Sequence, residues 1–126
     1  MAKTALGQSK PTLVRGMGAS AVVFGGVGLL APRALGAIYA VPPSPHTAQL
    51  LRLFGTRMLA LGAWTLTART EEETDRVLAI AAGMNVVDAV TALASSGSTG
   101  RSGALRAAVT SGTFAVLAVV VRSLEP

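Results

Sequence analysis

Four apolar runs, each about 20 residues long, constrain what this 126-residue chain can fold into. They extend over Thr12–Ala31, Thr47–Ala68, Val77–Ser95 and Gly103–Val121. At a helical rise of about 1.5 Å per residue, each run matches the hydrocarbon core of a bilayer. Only 13% of the residues are charged, about half the fraction typical of a soluble domain. The sequence therefore predicts an all-α polytopic membrane protein, a single four-helix transmembrane bundle over residues 1–126 with short loops.

Two of these runs leave alternatives open. The third is the shortest and is interrupted by Asn85 and Asp88, which makes it the weakest predicted span. In the first, Lys3, Lys10 and Arg15 precede an apolar core that ends near small residues, a pattern also typical of a cleaved signal peptide. We expect a retained signal-anchor helix.

The connections carry local signals. Residues 32–40 have room for a short interfacial helix, and Ser44 before a proline is typical of a helix N-cap. Thr70 and Glu73 have the spacing of a capping box at the start of the third span. Ser95–Ser102 is rich in glycine and serine, which predicts a flexible linker.

Basic residues near the helix ends indicate an orientation. With both termini in the cytoplasm, six basic residues lie on the cytoplasmic side (Lys3, Lys10, Arg15, Arg69, Arg76, Arg122) and four on the other (Arg33, Arg52, Arg101, Arg106). A composition rich in alanine, glycine, valine and arginine is typical of a GC-rich bacterial genome. We expect a multi-pass protein of the bacterial plasma membrane.

Several kinds of chemistry are excluded by composition. Without cysteine there is no disulfide, thiolate nucleophile or Cys-based metal site, and the single histidine, His46, cannot form a multi-His centre. The net charge of +5 is scattered among few aromatic residues, which argues against nucleic acid. No Ser/His/Asp set or carboxylate pair is suited to catalysis. We therefore expect no metal, no cofactor and no enzymatic activity.

Small residues at helical spacing form a narrow stripe on each predicted span, where a neighbouring backbone could pack. The stripes contain Gly18, Ala21, Gly25 and Gly28 on the first span, Arg52, Thr56, Ala60, Ala63 and Thr67 on the second, Ala82, Asn85, Ala89, Ala92 and Ser96 on the third, and Ala104, Ala108, Ser111, Ala115 and Ala118 on the fourth. Packing within one chain explains these stripes, although contacts between copies could use the same faces.

Two buried charges are the most informative residues. Arg57 falls near the middle of the second run, where an arginine costs about 2.5–3.5 kcal/mol to insert, and Arg52 adds a smaller cost. Asp88 lies at a matching depth, about 17–18 Å from the hairpin that joins the second and third runs. The sequence predicts an Arg57–Asp88 ion pair with Asn85 as a second hydrogen-bond partner and Arg52 as a further residue of the same site. This pair is either a pin that fixes the register of two helices or a gate, proton-coupled site or headgroup site.

The order Gly28-Leu-Leu-Ala-Pro-Arg33, then Leu35-Gly36, then Arg52-Leu-Phe-Gly-Thr-Arg57-Met-Leu-Ala-Leu-Gly62 resembles small bacterial four-helix membrane proteins of unknown function, loosely related to the DoxX-like group. The resemblance covers roughly residues 12–95. It implies a four-helix bundle in the plasma membrane and singles out Arg52, Gly55, Arg57 and Gly62, but it implies no reaction. We expect Gly55 and Gly62 to be helix-packing residues. Small multidrug transporters have a similar length, but the glutamate of their first helix has no counterpart here.

Two functions remain from the sequence. The first is a non-enzymatic integral membrane protein that acts by helix packing, as an accessory or scaffold subunit of a membrane complex or as a homo-oligomer. Its partners would be the lipid bilayer and other membrane subunits or copies of itself. The second is a small transporter, or a protein that binds a lipid or quinone, with a site around Arg57, Asp88 and Asn85.

Overall fold

In a computed structural model of the protein, which describes residues 2–126, six helices follow a short antiparallel hairpin. The hairpin pairs β1 (Thr4–Ala5) with β2 (Gln8–Ser9). The helices are α1 (Lys10–Leu30), α2 (Pro32–Ile38), α3 (Pro45–Thr67), α4 (Glu71–Ala94), α5 (Ser96–Thr99) and α6 (Arg101–Arg122). Met1, the first residue of the predicted domain, lies outside the described residues. The fold is all-α apart from the hairpin.

Three of the helices, α1, α4 and α6, are long and apolar enough to cross a membrane, as in a multi-pass membrane protein. Helix α3 has 23 residues but is not among these candidates, because Arg52 and Arg57 lower its mean hydropathy. Helix α4 corresponds to the third run, which was the weakest span predicted from the sequence. It has 24 residues and a mean hydropathy of 1.9 over its most apolar part. The weakest candidate is therefore the second run and not the third.

The predicted helix starts have the expected caps, with one difference. The Ser44 hydroxyl accepts the Thr47 N–H at 3.0 Å, and the Thr70 hydroxyl accepts the Glu73 N–H at 3.1 Å. The Glu73 carboxylate, however, accepts the N–H of Arg69 rather than that of Thr70, at 3.1 Å. This contact holds the end of the α3–α4 connection against the first turn of α4.

The segment predicted as a flexible linker contains a helical turn. Helix α5 occupies Ser96–Thr99, where the hydroxyls of Ser98 and Thr99 each donate to the Ser95 carbonyl at 3.0 Å. Gly100 then takes a φ of +91°, a value that favours glycine, and α6 begins at the next residue. The linker prediction is wrong because serine and threonine close local turns as readily as they solvate a coil.

Helices α1 and α3 pack as an antiparallel pair through glycines. A Cβ added at Gly25 would lie 2.6 Å from the Gly55 carbonyl oxygen, and one added at Gly62 would lie 2.8 Å from the Gly18 carbonyl oxygen. Gly28 also packs on the Gly55 backbone, with a Cβ placed 3.0 Å from the Gly55 Cα. The small-residue stripe predicted on α3 is exposed; it contains Arg52, Thr56, Ala60, Ala63 and Thr67. The packing face of α3 is the glycine face, since only glycine lets two backbones approach so closely.

Helices α4 and α6 form the second pair, in which Ala82 of α4 and Ala104, Ala115 and Ala118 of α6 are buried. Ala108 on the same helix and Ala21 on α1 are half-buried.

The two pairs meet mainly at one end. There Val14 of α1 packs with Leu78 of α4 and Val121 of α6 in a buried cluster, and the Glu125 N–H donates to the Ala2 carbonyl at 3.0 Å. Ala2 and Glu125 therefore lie at this end, which we call the Lys10 end (Lys10, residues 70–75 and residues 122–124). The opposite end, the Tyr39 end, contains residues 39–44 and 95–100.

Candidate functional site

The structure brings Arg57 and Asp88 together across α3 and α4. Arg57 Nη2 donates to Asp88 Oδ2, and the two side chains are 37% and 28% exposed. The Arg57 Cζ lies 5.4 Å from the centroid of the Phe54 ring, within the range of a cation–π contact. The Arg57 Nε is buried and has no hydrogen-bond partner among the described residues. The guanidinium is therefore held by one carboxylate and one ring, and part of its hydrogen-bonding capacity is unused.

Two other residues predicted for this site lie elsewhere. The Asn85 side chain donates to the Ala81 carbonyl of its own helix at 2.9 Å, because that acceptor is one turn away and already fixed. Arg52 is exposed on α3. The prediction that these two residues join the ion pair is therefore wrong, because neither side chain forms a hydrogen bond with Arg57 or Asp88 among the described residues.

A cavity of about 590 Å³ separates the two helix pairs at the Tyr39 end. Its walls come from α3, α4, α6 and the connection before α3. Along these helices, the residues farthest from the Tyr39 end are Phe54, Asp88 and Ser111. From Ser95 to Asp88 the cavity follows α4 for seven residues, or about 10 Å. Asp88 therefore lies at its inner end.

The lining is apolar with one charge. Among the described residues that line the cavity, only Asp88 carries a formal charge at neutral pH, and Arg57 is not one of them. Hydroxyl groups accompany the carboxylate, including those of Thr91 and Ser111. Burial raises the pKa of Tyr39, which also lines the cavity, and the Asp88 carboxylate raises it further, while a hydrogen bond with Thr110 opposes both effects. The negative charge of Asp88 therefore acts on another side chain that lines the cavity, Tyr39.

The Lys10 end is closed by a charge cluster that sequence reasoning missed. Lys10 is 2% exposed, and its ammonium group donates to the Glu71 carboxylate and to Asp75 Oδ1, the latter at 2.8 Å. The same group donates to the carbonyls of Arg122 and Leu124 at 3.2 and 3.1 Å. One side chain of α1 therefore connects the start of α4 with the end of α6.

A signal for this cluster was present in the sequence. Glu71 and Asp75 are four residues apart in the first turns of α4, so their carboxylates share one face and need a cation there. The sequence gives Lys10 only two interpretations, as a charge that orients the chain and as part of a signal-peptide pattern. The burial of Lys10 depends on the position of the carbonyls at the end of α6, and no local pattern in the sequence predicts that position.

The part of the chain that the structure describes contains no group of three His, Asp or Glu side chains placed to hold a metal ion. His46 is exposed in the first turn of α3.

Comparison with known proteins gives a family and no function. A family model described as a domain of unknown function, DUF4267, matches residues 18–122. No curated protein and no solved structure matches the chain. The matched range includes Arg57, Asp88 and the glycines through which α1 and α3 pack (Gly18, Gly25, Gly28, Gly55 and Gly62), but not Lys10. The family match agrees with the predicted resemblance to proteins of unknown function, but it supports neither the DoxX-like group nor a bacterial source.

Proposed function

Since the chain belongs to the DUF4267 family, whose function is unknown, we propose a function from the site itself: a small membrane transporter that admits a small organic molecule into the cavity at the Tyr39 end. The observation that carries the proposal is that the cavity extends from this end to Asp88, while the Lys10 cluster closes the other end. Transporters hold their substrates near the middle of the membrane with access from one side at a time. The proposal involves no catalytic chemistry.

The dimensions of the cavity support this proposal. A volume of about 590 Å³ is within the range of roughly 300–1,000 Å³ for small-molecule sites. Asp88 falls near the middle of the apolar part of α4, and an ionisable group at such a depth is typical of a substrate or ion pathway. The same cavity could instead bind a lipid or a quinone, with its headgroup at the Asp88 carboxylate. The protein would then hold its ligand rather than transport it.

The proposal includes a membrane crossing by α3 and thus a four-helix bundle. The contacts of Lys10 with Glu71 and Asp75 support it, because they hold the start of α4 beside the start of α1. If α1 crosses the membrane, the chain must return before α4 begins, and α3 is the helix that connects the two ends. The Asp88 carboxylate offsets part of the cost of Arg57 in this crossing.

We further propose that the Lys10 end faces the cytoplasm of a bacterial cell and that the membrane is its plasma membrane. The orientation rests on the six basic residues at that end against four at the other. The bacterial assignment rests on composition and on the resemblance.

The function predicted first from the sequence, an accessory subunit or a homo-oligomer, has less support from the helix faces. Small-residue faces on α1 and α3 could have served contacts between copies, but Gly25 packs on Gly55 within one chain. Purification of the protein from its membrane in lipid nanodiscs tests this function. Subunits recovered in fixed ratio would favour it over the transporter.

Cysteine labelling tests whether the cavity admits solutes, because the chain has no native cysteine. Ser111 lines the cavity about 15 Å along α6 from its start. We expect Ser111→Cys to react with a small charged thiosulfonate reagent added from the Tyr39 side. Val116→Cys, on an exposed apolar face of the same helix, should stay unreactive because it faces lipid.

A second substitution shows whether the reagent reaches Ser111 through the cavity. Ala107→Trp fills space between the helices and should slow the labelling of Ser111→Cys, whereas Val109→Trp, on the exposed face of α6, should leave it unchanged. A Ser111→Cys variant that is folded but unreactive would contradict the proposed function.

A further inference from the structure

The side chains that face the cavity identify a class of ligand, on the premise that the proposed function is correct. We propose that the cavity binds an organic cation, an ammonium group attached to an apolar body, with the ammonium at Asp88 and the body against the apolar walls.

The charge of the lining supports a cation. Asp88 is the only described lining residue with a formal charge, so a ligand in the cavity meets a carboxylate and no basic side chain. Arg57 contacts Asp88 Oδ2 but does not line the cavity, and Asp88 Oδ1 has no hydrogen bond to a described residue. A ligand N–H can therefore donate to Oδ1 in a charge-assisted hydrogen bond.

The rings of the lining also suit a cation. The faces of aromatic rings attract ammonium and guanidinium groups, and Phe54 lies beside the carboxylate at the inner end. The Arg57 guanidinium already lies 5.4 Å from the Phe54 centroid, so this ring holds a cation in the present structure. The hydroxyls of Thr91 and Ser111 add acceptors for further N–H groups.

Arg57 and the ligand would share these partners. In the structure Arg57 donates to Oδ2 of Asp88 and lies beside the Phe54 ring, so an ammonium at Oδ1 would share the carboxylate and the ring with it. A bound cation therefore weakens the Arg57–Asp88 contact between α3 and α4. Removal of the guanidinium should make the site bind cations more tightly, because the competing charge is gone.

Three probes with one apolar body and different charges test the inference at pH 7.5. They are 4-phenylbutylamine, which is cationic, 4-phenylbutan-1-ol, which is neutral, and 4-phenylbutanoate, which is anionic. Binding is measured by calorimetry with the protein in phosphatidylcholine nanodiscs, and empty nanodiscs correct for partition into lipid. We expect the amine to bind about tenfold or more tightly than the alcohol, and the acid to bind least.

Variants place this preference at Asp88. Arg57→Gln should bind the amine several-fold more tightly than the native protein, and Asp88→Asn should bind amine and alcohol equally. Because Asp88→Asn leaves Arg57 unpaired, the double variant Arg57→Met/Asp88→Asn provides a second form without the carboxylate, and it should show the same equality. Glu72→Gln, an exposed carboxylate at the Lys10 end, is the control and should keep the preference for the amine.

The outcomes separate the two proposals. Binding of all three probes with equal affinity, or of the acid most tightly, would overturn the cation inference and leave the cavity as a binding site. Failure of every probe to bind, together with an unreactive Ser111→Cys, would overturn the proposed function itself. A preference for the amine that persists in the double variant would show that Asp88 is not its source.

Discussion

Lys10 illustrates how one residue can connect three helices. Its ammonium group is buried, and its partners are the Glu71 and Asp75 side chains of α4 and the carbonyls of Arg122 and Leu124 at the end of α6. A buried ammonium is tolerated only when its donors are satisfied, and here four acceptors surround it. Lys10 therefore helps to hold the Lys10 end closed, together with the buried cluster of Val14, Leu78 and Val121.

Lys10→Met should lower the stability of the protein by about 1–3 kcal/mol, because two neighbouring carboxylates lose their cation. The cost falls below that of a fully buried pair, since Glu71 and Asp75 are 44% and 33% exposed. Unfolding in mixed micelles measures the loss. Lys3→Met, which removes an exposed lysine, should change stability little. The triple variant Lys10→Met/Glu71→Gln/Asp75→Asn should recover part of the loss, and equal stability of the two lysine variants would contradict this account.

The pKa of Tyr39 provides a measurement of the environment inside the cavity. Burial and the Asp88 carboxylate both disfavour the phenolate, so the pKa of Tyr39 in the folded protein lies above its ordinary value of about 10. Tyr39 is the only tyrosine, so absorbance at 295 nm follows its titration alone. We expect a midpoint above 10 in the folded protein and a lower one in Arg57→Met/Asp88→Asn.

The same shift makes stability depend on alkaline pH. An unfolded chain releases the Tyr39 proton first as pH rises, so the stabilisation is complete below pH 10 and is lost as pH rises through the folded pKa. Tyr39→Phe should lack this part of the alkaline loss. A titration midpoint at or below 10 in the folded protein would contradict the burial of the phenol.

At the scale of elements, the α1–α3 pair depends on glycines that face each other. A Cβ at Gly25 would lie 2.6 Å from both the Gly55 oxygen and the Leu59 nitrogen, and these backbone atoms cannot move without separating the helices. Gly25→Ala should therefore destabilise the protein by about 1–3 kcal/mol. Gly26→Ala is the matched control, because a Cβ there meets nothing within 4 Å. Alanine also favours the helix over glycine, so this control should be neutral or stabilising.

Folded yield and unfolding in micelles compare the two variants. Equal stability of Gly25→Ala and Gly26→Ala would show that α1 and α3 do not pack as described.

The sequence predicted the helices well because their signals are local. Apolar runs, Ser44 and Thr70 place each helix within a few residues, and the common depth of Arg57 and Asp88 predicted their contact. The sequence predicts Gly55 and Gly62 as packing residues of α3, but it places the small-residue stripe of that helix on the exposed face of Arg52, because spacing alone does not say which of several faces meets a neighbour. A cavity between helices at Asp88 belongs to the second predicted function, but its position at the Tyr39 end and its lining without Arg57 or Asn85 were not predicted, since they depend on how the two helix pairs pack.

At the scale of the whole molecule, two helix pairs join at the Lys10 end and enclose the cavity at the Tyr39 end, where the Arg106 side chain donates to the Ile38 carbonyl at 3.2 Å. Apart from the Lys10 cluster, contacts between the pairs include the Phe24 and Phe114 rings, 6.3 Å apart and nearly perpendicular, and the Arg57–Asp88 ion pair. Large apolar side chains such as Val90 and Val109 remain 60% and 67% exposed. In water these faces would drive aggregation, whereas a bilayer covers them.

The position of the chain across that bilayer can be tested with single cysteines. If α3 crosses the membrane, Lys3→Cys and Glu72→Cys lie on one side, and Arg33→Cys and Ser98→Cys lie on the other. If α3 stays at the surface, Glu72→Cys moves to the side of Arg33→Cys, so one comparison decides the number of crossings. An impermeant maleimide applied to intact cells and to permeabilised cells distinguishes the sides. Val109→Cys, exposed on α6, is the lipid-facing control and should react in neither case.

We expect Lys3→Cys and Glu72→Cys to be protected in intact cells and to react after permeabilisation, since the Lys10 end has more basic residues. Reaction of both in intact cells would keep four crossings but reverse the orientation. The cavity would then open to the cytoplasm, and the same carboxylate would receive its ligand from inside the cell. Labelling of Glu72→Cys together with Arg33→Cys, and apart from Lys3→Cys, would instead show that α3 does not cross the membrane, and the proposed transport pathway to Asp88 would lose its membrane depth.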